Sequence, residues 1–312
     1  MAFIKQFGSY LPPRVVSNEE IGARVGCDSA WILSVAGIEE RRFAEDETVV
    51  DMALRAAQDC LSRAGMNADQ LGMLVLACSS WDRRYPGPAV SVAQRLGLTS
   101  VPCLDLPMAS AGSLFGMALA AKLTETYGDI LVIGAEKMSS VILREPMERG
   151  VAILFGDGAG SCILSADSGC ARVVDSVIES DGTFSEDLQL KFELPLEMNG
   201  RSVILQASRK IPRVIEMVLG KHGHKAGEVD AFLMHQANQN LIARIASALG
   251  VAEQKFFTNI RRYGNTSSAS MLIAATEWWQ KCGFQPGVPV CFAAFGAGFN
   301  WGAMLVEGVT AS

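Results

Sequence analysis

Three short segments carry side chains that could do chemistry together. The run LDLPMASAGSLFGMAL (104–119) breaks an apolar strand with a turn of small residues and opens an apolar helix, with a lone hydroxyl, Ser110, at the junction. A serine there is either a helix N-cap or the seat of a nucleophile. His235 follows the apolar run AFLM and precedes Gln236-Ala237-Asn238, which places an imidazole where a buried strand opens onto a loop. A buried structural histidine is the alternative for it, and His222 and His224, in the polar stretch KHGHKAGE, read as solvated surface. Asn265 stands in YGNTSSASMLIAA (263–275), just before small residues that start a helix, where a turn or cap asparagine is the other reading.

The chain that must position these groups has 312 residues, of which 49% are hydrophobic and 19% charged, with 30 glycines spread along it. That is the make-up of a compact soluble protein able to bury a large core. The net charge of −6 excludes a nucleic-acid surface built on overall positive charge. No apolar run reaches the roughly 18 residues of a membrane span, and the first 18 residues lack the apolar stretch of a secretory signal. Eight cysteines show no C-x-x-C spacing, so we expect buried free thiols, no metal site, and a cytoplasmic protein.

Helical and strand periods alternate, which signals an α/β fold. Helices are expected over 51–64, 89–98 and 110–127, and strands over 71–80, 101–106 and 129–137. The second half repeats the plan. ILFGDGAGSCIL (153–164) matches AAFGAGFNWGAML (293–305), and LVLACSS (74–80) matches AFLMHQA (231–237), in the same order. Duplicated halves packed together would bring their polar strand ends to one junction.

Five ordered motifs then carry a resemblance over about residues 3–308: GIEERR (37–42), FGDGAG (155–160), MHQAN (234–238), YGNTSSAS (263–270) and FGAGFNWG (295–302). They resemble the signature blocks of β-ketoacyl-acyl-carrier-protein synthase III, in the thiolase superfamily. The resemblance implies a thiolase fold of two similar halves, 1–168 and 169–312, in five α-β-α-β-α layers, assembled as a homodimer. It implies a Cys-His-Asn catalytic trio, whose His and Asn fall on His235 and Asn265 and whose Cys falls on Ser110. The oxyanion hole would be the amides of Ser110 and Ala297. Phe295 and Gly296 would border the substrate, Trp31 would stack on the adenine of acyl-CoA, and Tyr85 would set the length of the acyl tunnel, favouring a short acyl group. No cofactor is implied. The substrates would be acyl-CoA and a malonyl group on acyl carrier protein, in fatty acid or polyketide biosynthesis.

The sequence departs from the family pattern in places that bear on chemistry. A helix N-terminus favours a thiolate, but a serine hydroxyl titrates too high for that, so it needs a base, for which His235 is the expected candidate. Ala297 stands where the family has glycine and would be strained if its φ were positive. Arginines expected at Val35 and Asn240 and a lysine expected at Leu205 are missing, with Arg209, Lys210, Arg213, Arg261 and Arg262 as cations that could compensate. Pro107 and Ser113 also depart from the pattern around Ser110. The alternatives to a working serine enzyme are a non-catalytic partner subunit of an active paralogue and a Cys-to-Ser variant of an ordinary synthase.

Overall fold

The computed structural model describes residues 1–310. Nine strands form one mixed sheet: β1 (Ala2–Tyr10), β2 (Leu71–Ala77), β3 (Cys103–Leu106), β4 (Asp129–Lys137), β5 (Asp157–Ser165), β6 (Ala171–Ser180), β7 (Ala231–Met234), β8 (Pro289–Gly296) and β9 (Asn300–Gly308). Their order is β7-β8-β9-β6-β1-β5-β4-β2-β3. The five-stranded part, β1 to β5, and the four-stranded part, β6 to β9, are joined in the sheet by the short pairing of Ala2–Ile4 with Ala171–Val173.

Six helices cover these strands: α1 (Val49–Ala64), α2 (Pro88–Arg95), α3 (Gly112–Tyr127), α4 (Gly200–Gly220), α5 (Gln239–Ala248) and α6 (Ser270–Lys281). Alternate residues of each strand enter different cores, as the two-residue period of a strand requires. Val75 and Val132 pack inward with Leu114 and Met117 of α3, Met271 and Ala275 of α6, and Leu233, Phe292 and Met304 from the other part of the sheet. Leu74, Leu76 and Leu131 face the other way, against Met52, Ala53 and Ala56 of α1 and Val92 of α2. Phe232, Cys291 and Leu305 turn outward onto Ile211 and Val214 of α4 and Ile242 and Ile245 of α5. The result is five layers, and the two helices in the middle are apolar almost all round because both their faces are covered. The thiolase architecture expected from the sequence is the one found.

Local signals place the ends. Thr48 and Asp51 cap α1 reciprocally, and Gly65 closes it at φ 63°. The helix expected to reach 98 stops at Arg95, and the strand expected from 101 begins at Cys103, both small shifts at apolar loop residues. No helix is long and apolar enough to cross a membrane among the described residues.

Asp157 ties the first part of the sheet together. Its buried carboxylate accepts from the Ala44 and Ser139 amides at 2.8 Å each and from Ser139 Oγ at 2.6 Å. Burial outweighs these donors and pushes its pKa up to about 6. The folded state therefore holds a proton more tightly than the unfolded one between about pH 4 and 6, and this residue's contribution to stability declines as pH rises through that window, by about 3 kcal/mol in total. Denaturant titrations across pH 4–8 should show the stability of the native chain minus that of Asp157→Asn falling between pH 4 and 6; a difference independent of pH would contradict this.

Candidate active site

Strand β3 runs into the turn 107–111 that carries Ser110. The turn is tight: Met108 N–H donates to Leu106 O at 2.8 Å and Ala111 N–H to Ala109 O at 2.6 Å. Ser110 itself has φ 60°, a left-handed conformation that costs a serine on the order of 1–3 kcal/mol. Packing enforces it. Gly296, at the end of β8, lies so close that a Cβ there would sit 2.0 Å from Ala109 O, and a Cβ on Gly112 would sit 2.7 Å from that of Ala77. Ser110 is not a helix cap. Helix α3 begins two residues later, its N-cap residue is Ala111, and no side chain caps it.

His235 leaves β7 with its amide donated to Ala293 O of β8 at 2.9 Å. Its Nδ1 lies 2.6 Å from Ser270 Oγ, which also accepts the Gln236 amide at 3.1 Å. The one hydroxyl proton of Ser270 has Nδ1 as its acceptor, which assigns the ring proton of His235 to Nε2. Burial, with only 1% of the residue exposed, drops its pKa to about 3, so the ring is neutral. Phe295 meets it edge-on, ring centres 5.3 Å apart.

Asn265 is held by its backbone against the FGDGAG segment, accepting from Gly156 N–H and donating to Leu154 O. Its Oδ1 accepts the Ser267 amide at 2.8 Å, a local Asx turn that leaves Nδ2 as a donor. His235 and Asn265 thus each offer N–H groups and neither offers a base.

The segment 265–270 is what joins the three. Ser267 is bonded to Asn265, and its Oγ accepts the Ser110 amide at 3.0 Å and stands 3.4 Å from Ser110 Oγ. Ser270, one turn further, holds His235. Two expectations from the sequence are corrected here. The Ser110 amide is not free at the helix end but is committed to Ser267. The hydroxyl of Ser110 has Ser267 as its neighbour rather than His235, whose only basic nitrogen is occupied by Ser270. The amide of Ala297, by contrast, donates to no protein acceptor among the described residues, and its φ is not positive, so alanine is unstrained there.

Sequence reasoning missed Glu136. It is fully buried at the end of β4 and accepts two amides, from Ser79 and Ser80, and four hydroxyls, from Ser79, Ser80, Ser267 and Ser268. A carboxylate in the strand DILVIGAEK was a visible signal, since buried charges are rare without partners.

Trp31 lies on the short helix Ser29–Ala36, and the Arg149 guanidinium covers its ring at 5.0 Å. Arg149 was not singled out from the sequence, although it lies just before the FGDGAG motif. Val35 is exposed, and its carbonyl is capped by Asn238 and Asn240, so these two positions form a neutral patch. Leu205 is exposed on α4. Of the cations expected to compensate, Arg209 and Arg213 are exposed and form no ion pair among the described residues. Lys210 is not available: it pairs with Asp181 at 2.9 Å and lies 3.9 Å over Trp301. Arg261 and Arg262 are taken by Glu39 and Glu277, each at 2.7 Å. Tyr85 stands out into solvent, 85% exposed.

Comparison with known proteins gives the family of the chain and of its fold. The family profile described as 3-oxoacyl-[acyl-carrier-protein] synthase III matches residues 104–182, and that of its C-terminal part matches residues 219–308. The β-ketoacyl-[acyl-carrier-protein] synthase III of Oleidesulfovibrio alaskensis is 33% identical, covering 98% of both chains. The crystal structure of the synthase III from Aquifex aeolicus superposes with a TM-score of 0.94 at 32% identity, covering 98% of this chain and 100% of that one. The priming β-ketosynthase of the R1128 polyketide pathway gives 0.92 at 28% identity, covering 100% of this chain and 97% of that one. The chain belongs to the 3-oxoacyl-[acyl-carrier-protein] synthase III family.

Proposed function

We propose that this chain takes a short starter acyl group from acyl-CoA onto Ser110 and condenses it with a malonyl group on acyl carrier protein. The observation that carries the reading is the pairing of a strained, helix-leading Ser110 with two neutral donors, His235 Nε2–H and Asn265 Nδ2–H, through one bonded segment. When a malonyl thioester loses CO₂, charge builds on its carbonyl oxygen, and two N–H donors there stabilise the enolate without giving up a proton. The enolate carbon then attacks the acyl carbonyl on Ser110, forming the C–C bond and breaking the C–O bond, and the departing serine oxygen takes up one proton, drawn from water, to restore the hydroxyl. In this reading the Ala297 amide, which donates to no protein acceptor among the described residues, holds the oxyanion of each acyl step.

Trp31 and Arg149 are the groups for the adenine of CoA, one stacking on it and the other adding a cation. Arg209 and Arg213, exposed and without an ion pair among the described residues, are positive charges that an acidic carrier protein would meet on a chain of net charge −6. Homodimer formation is part of the reading. It is supported by β3, an edge strand paired only with β2, and by exposed Tyr85, which a second copy would cover while it closes that copy's acyl tunnel. Eight free cysteines fit the reducing cytoplasm.

Incubation with a panel of acyl-CoA thioesters should add one acyl mass, located on Ser110 and absent in Ser110→Ala; no adduct with any thioester would leave the partner-subunit reading instead. His235→Ala and Asn265→Ala should each slow malonyl decarboxylation by about 10²–10³-fold while leaving acylation of Ser110 within a few-fold. Because the His235 pKa lies near 3, the ring stays neutral at higher pH, and decarboxylation should show no inflection near pH 6.5; one that disappears in His235→Ala would contradict the donor role.

The donor is testable separately. Trp31→Ala should raise KM for CoA thioesters and spare pantetheine thioesters that lack the nucleotide, and Arg209→Glu should weaken carrier-dependent turnover alone. Equal losses on all donors would contradict both assignments.

A further inference from the structure

A serine that accepts an acyl group must lose its proton, and with the Ser270 hydroxyl assigned as donor to Nδ1, the other ring nitrogen of His235 carries a proton and is not a base. What lies beside Ser110 instead is Ser267, and the two are counterparts. Each sits in the turn that leads a central helix, α3 in one half and α6 in the other, and each has a left-handed backbone, φ 60° and 47°. Both are buried, at 6% and 1% exposure, and their hydroxyl oxygens are 3.4 Å apart.

The direction of the hydrogen bonds is fixed from the far end. Ser267 Oγ lies 3.1 Å from Glu136 Oε1, and a carboxylate accepts only, so the Ser267 proton points at Glu136. Ser267 Oγ then turns its lone pairs to Ser110, one already holding the Ser110 amide. The Ser110 hydroxyl can therefore donate to Ser267 and cannot accept from it. Its own lone pairs are left for a carbonyl carbon. The separation of 3.4 Å is long for an O–H···O bond, as contacts at catalytic groups often are before substrate binds.

We propose that Ser267 is a catalytic residue, the proton acceptor of Ser110, and that Glu136 is the positioning residue that keeps it one. This rests on the acyl-transfer reading above. As the Ser110 Oγ–C bond forms, Ser110 gives its proton to Ser267 Oγ and Ser267 passes its own to Glu136. As the C–S bond breaks, the departing thiolate takes a proton from Ser267, which recovers its own from Glu136. Thioester and alcohol become ester and thiol, with no other reactant. Two amides, four hydroxyls and the Cys78 thiol donate to Glu136 and hold its carboxylate in place against Ser267.

A cysteine at position 110 reacts as a thiolate and needs no such acceptor, which gives the test. Rates of acyl-adduct formation from acetyl-CoA would be measured by quenched intact mass for the native chain, Ser267→Ala, Ser110→Cys, and the double variant. Ser267→Ala should slow ester formation on Ser110 by about 10²-fold or more, and should change thioester formation in the Ser110→Cys background by less than about threefold. Glu136→Gln should show the same split. Ester formation as fast or faster in Ser267→Ala overturns the relay alone. Equal losses in both backgrounds reduce Ser267 and Glu136 to holding the fold and also overturn it. No ester on the native chain overturns the relay and the acyl-transfer reading together.

Discussion

The site depends on one contact, the meeting of the turn before α3 with the turn before α6. Neither turn would hold its shape alone, since each keeps a serine in left-handed backbone. They are over-determined by what surrounds them. Gly296 leaves no room for a side chain on one side of the Ser110 turn, and a Cβ on Gly134 would sit 2.3 Å from Ser268 O beside the other. The five-layer packing brings the leading turns of the two central helices together, and the rest of the site is hung on them: Ser267 reaches Ser110 and Asn265, and Ser270 reaches His235.

The electrostatics follow from which groups are allowed a charge there. Glu136 is buried among donors, and His235, without a carboxylate partner, is kept neutral by burial. On the proposed reading the reacting space is bordered by N–H donors on the His235 and Asn265 side and, on the Ser110 side, by the Ser267 hydroxyl, which is hydrogen-bonded to Glu136. An arrangement with donors where an enolate forms and an acceptor where a proton leaves needs no ionisation of the protein to begin.

Much of the fold was legible because its signals are local. The alternation of two-residue and 3.6-residue periods gave strands and helices to within a few residues, and the repeated Phe-Gly-x-Gly motif pointed to the duplication, although only its second copy is a hairpin, between β8 and β9, the first leading into β5 from the short helix Arg149–Ala152. Ser110, His235 and Asn265 could be named because each follows a strand or leads a helix in a distinctive run of residues. What the sequence did not reveal are pairings across distance. The Ser110 amide is taken by a residue 157 positions away, and Ser268 and Glu136 are 132 apart. The ring proton of His235 was likewise invisible, being set by Ser270. So was the fate of Lys210, which a helical pattern places on the surface and which Asp181 and Trp301 draw inward.

The central claim is that Ser110 carries the acyl group between two thioesters. The most direct test is a crystal structure of the native protein trapped with an acyl-CoA before malonyl thioester is added. The account predicts continuous density from Ser110 Oγ to the acyl carbon, with the carbonyl oxygen at the Ala297 amide. An intact thioester lying beside an unmodified Ser110, or an acyl group joined to any other residue, would contradict it.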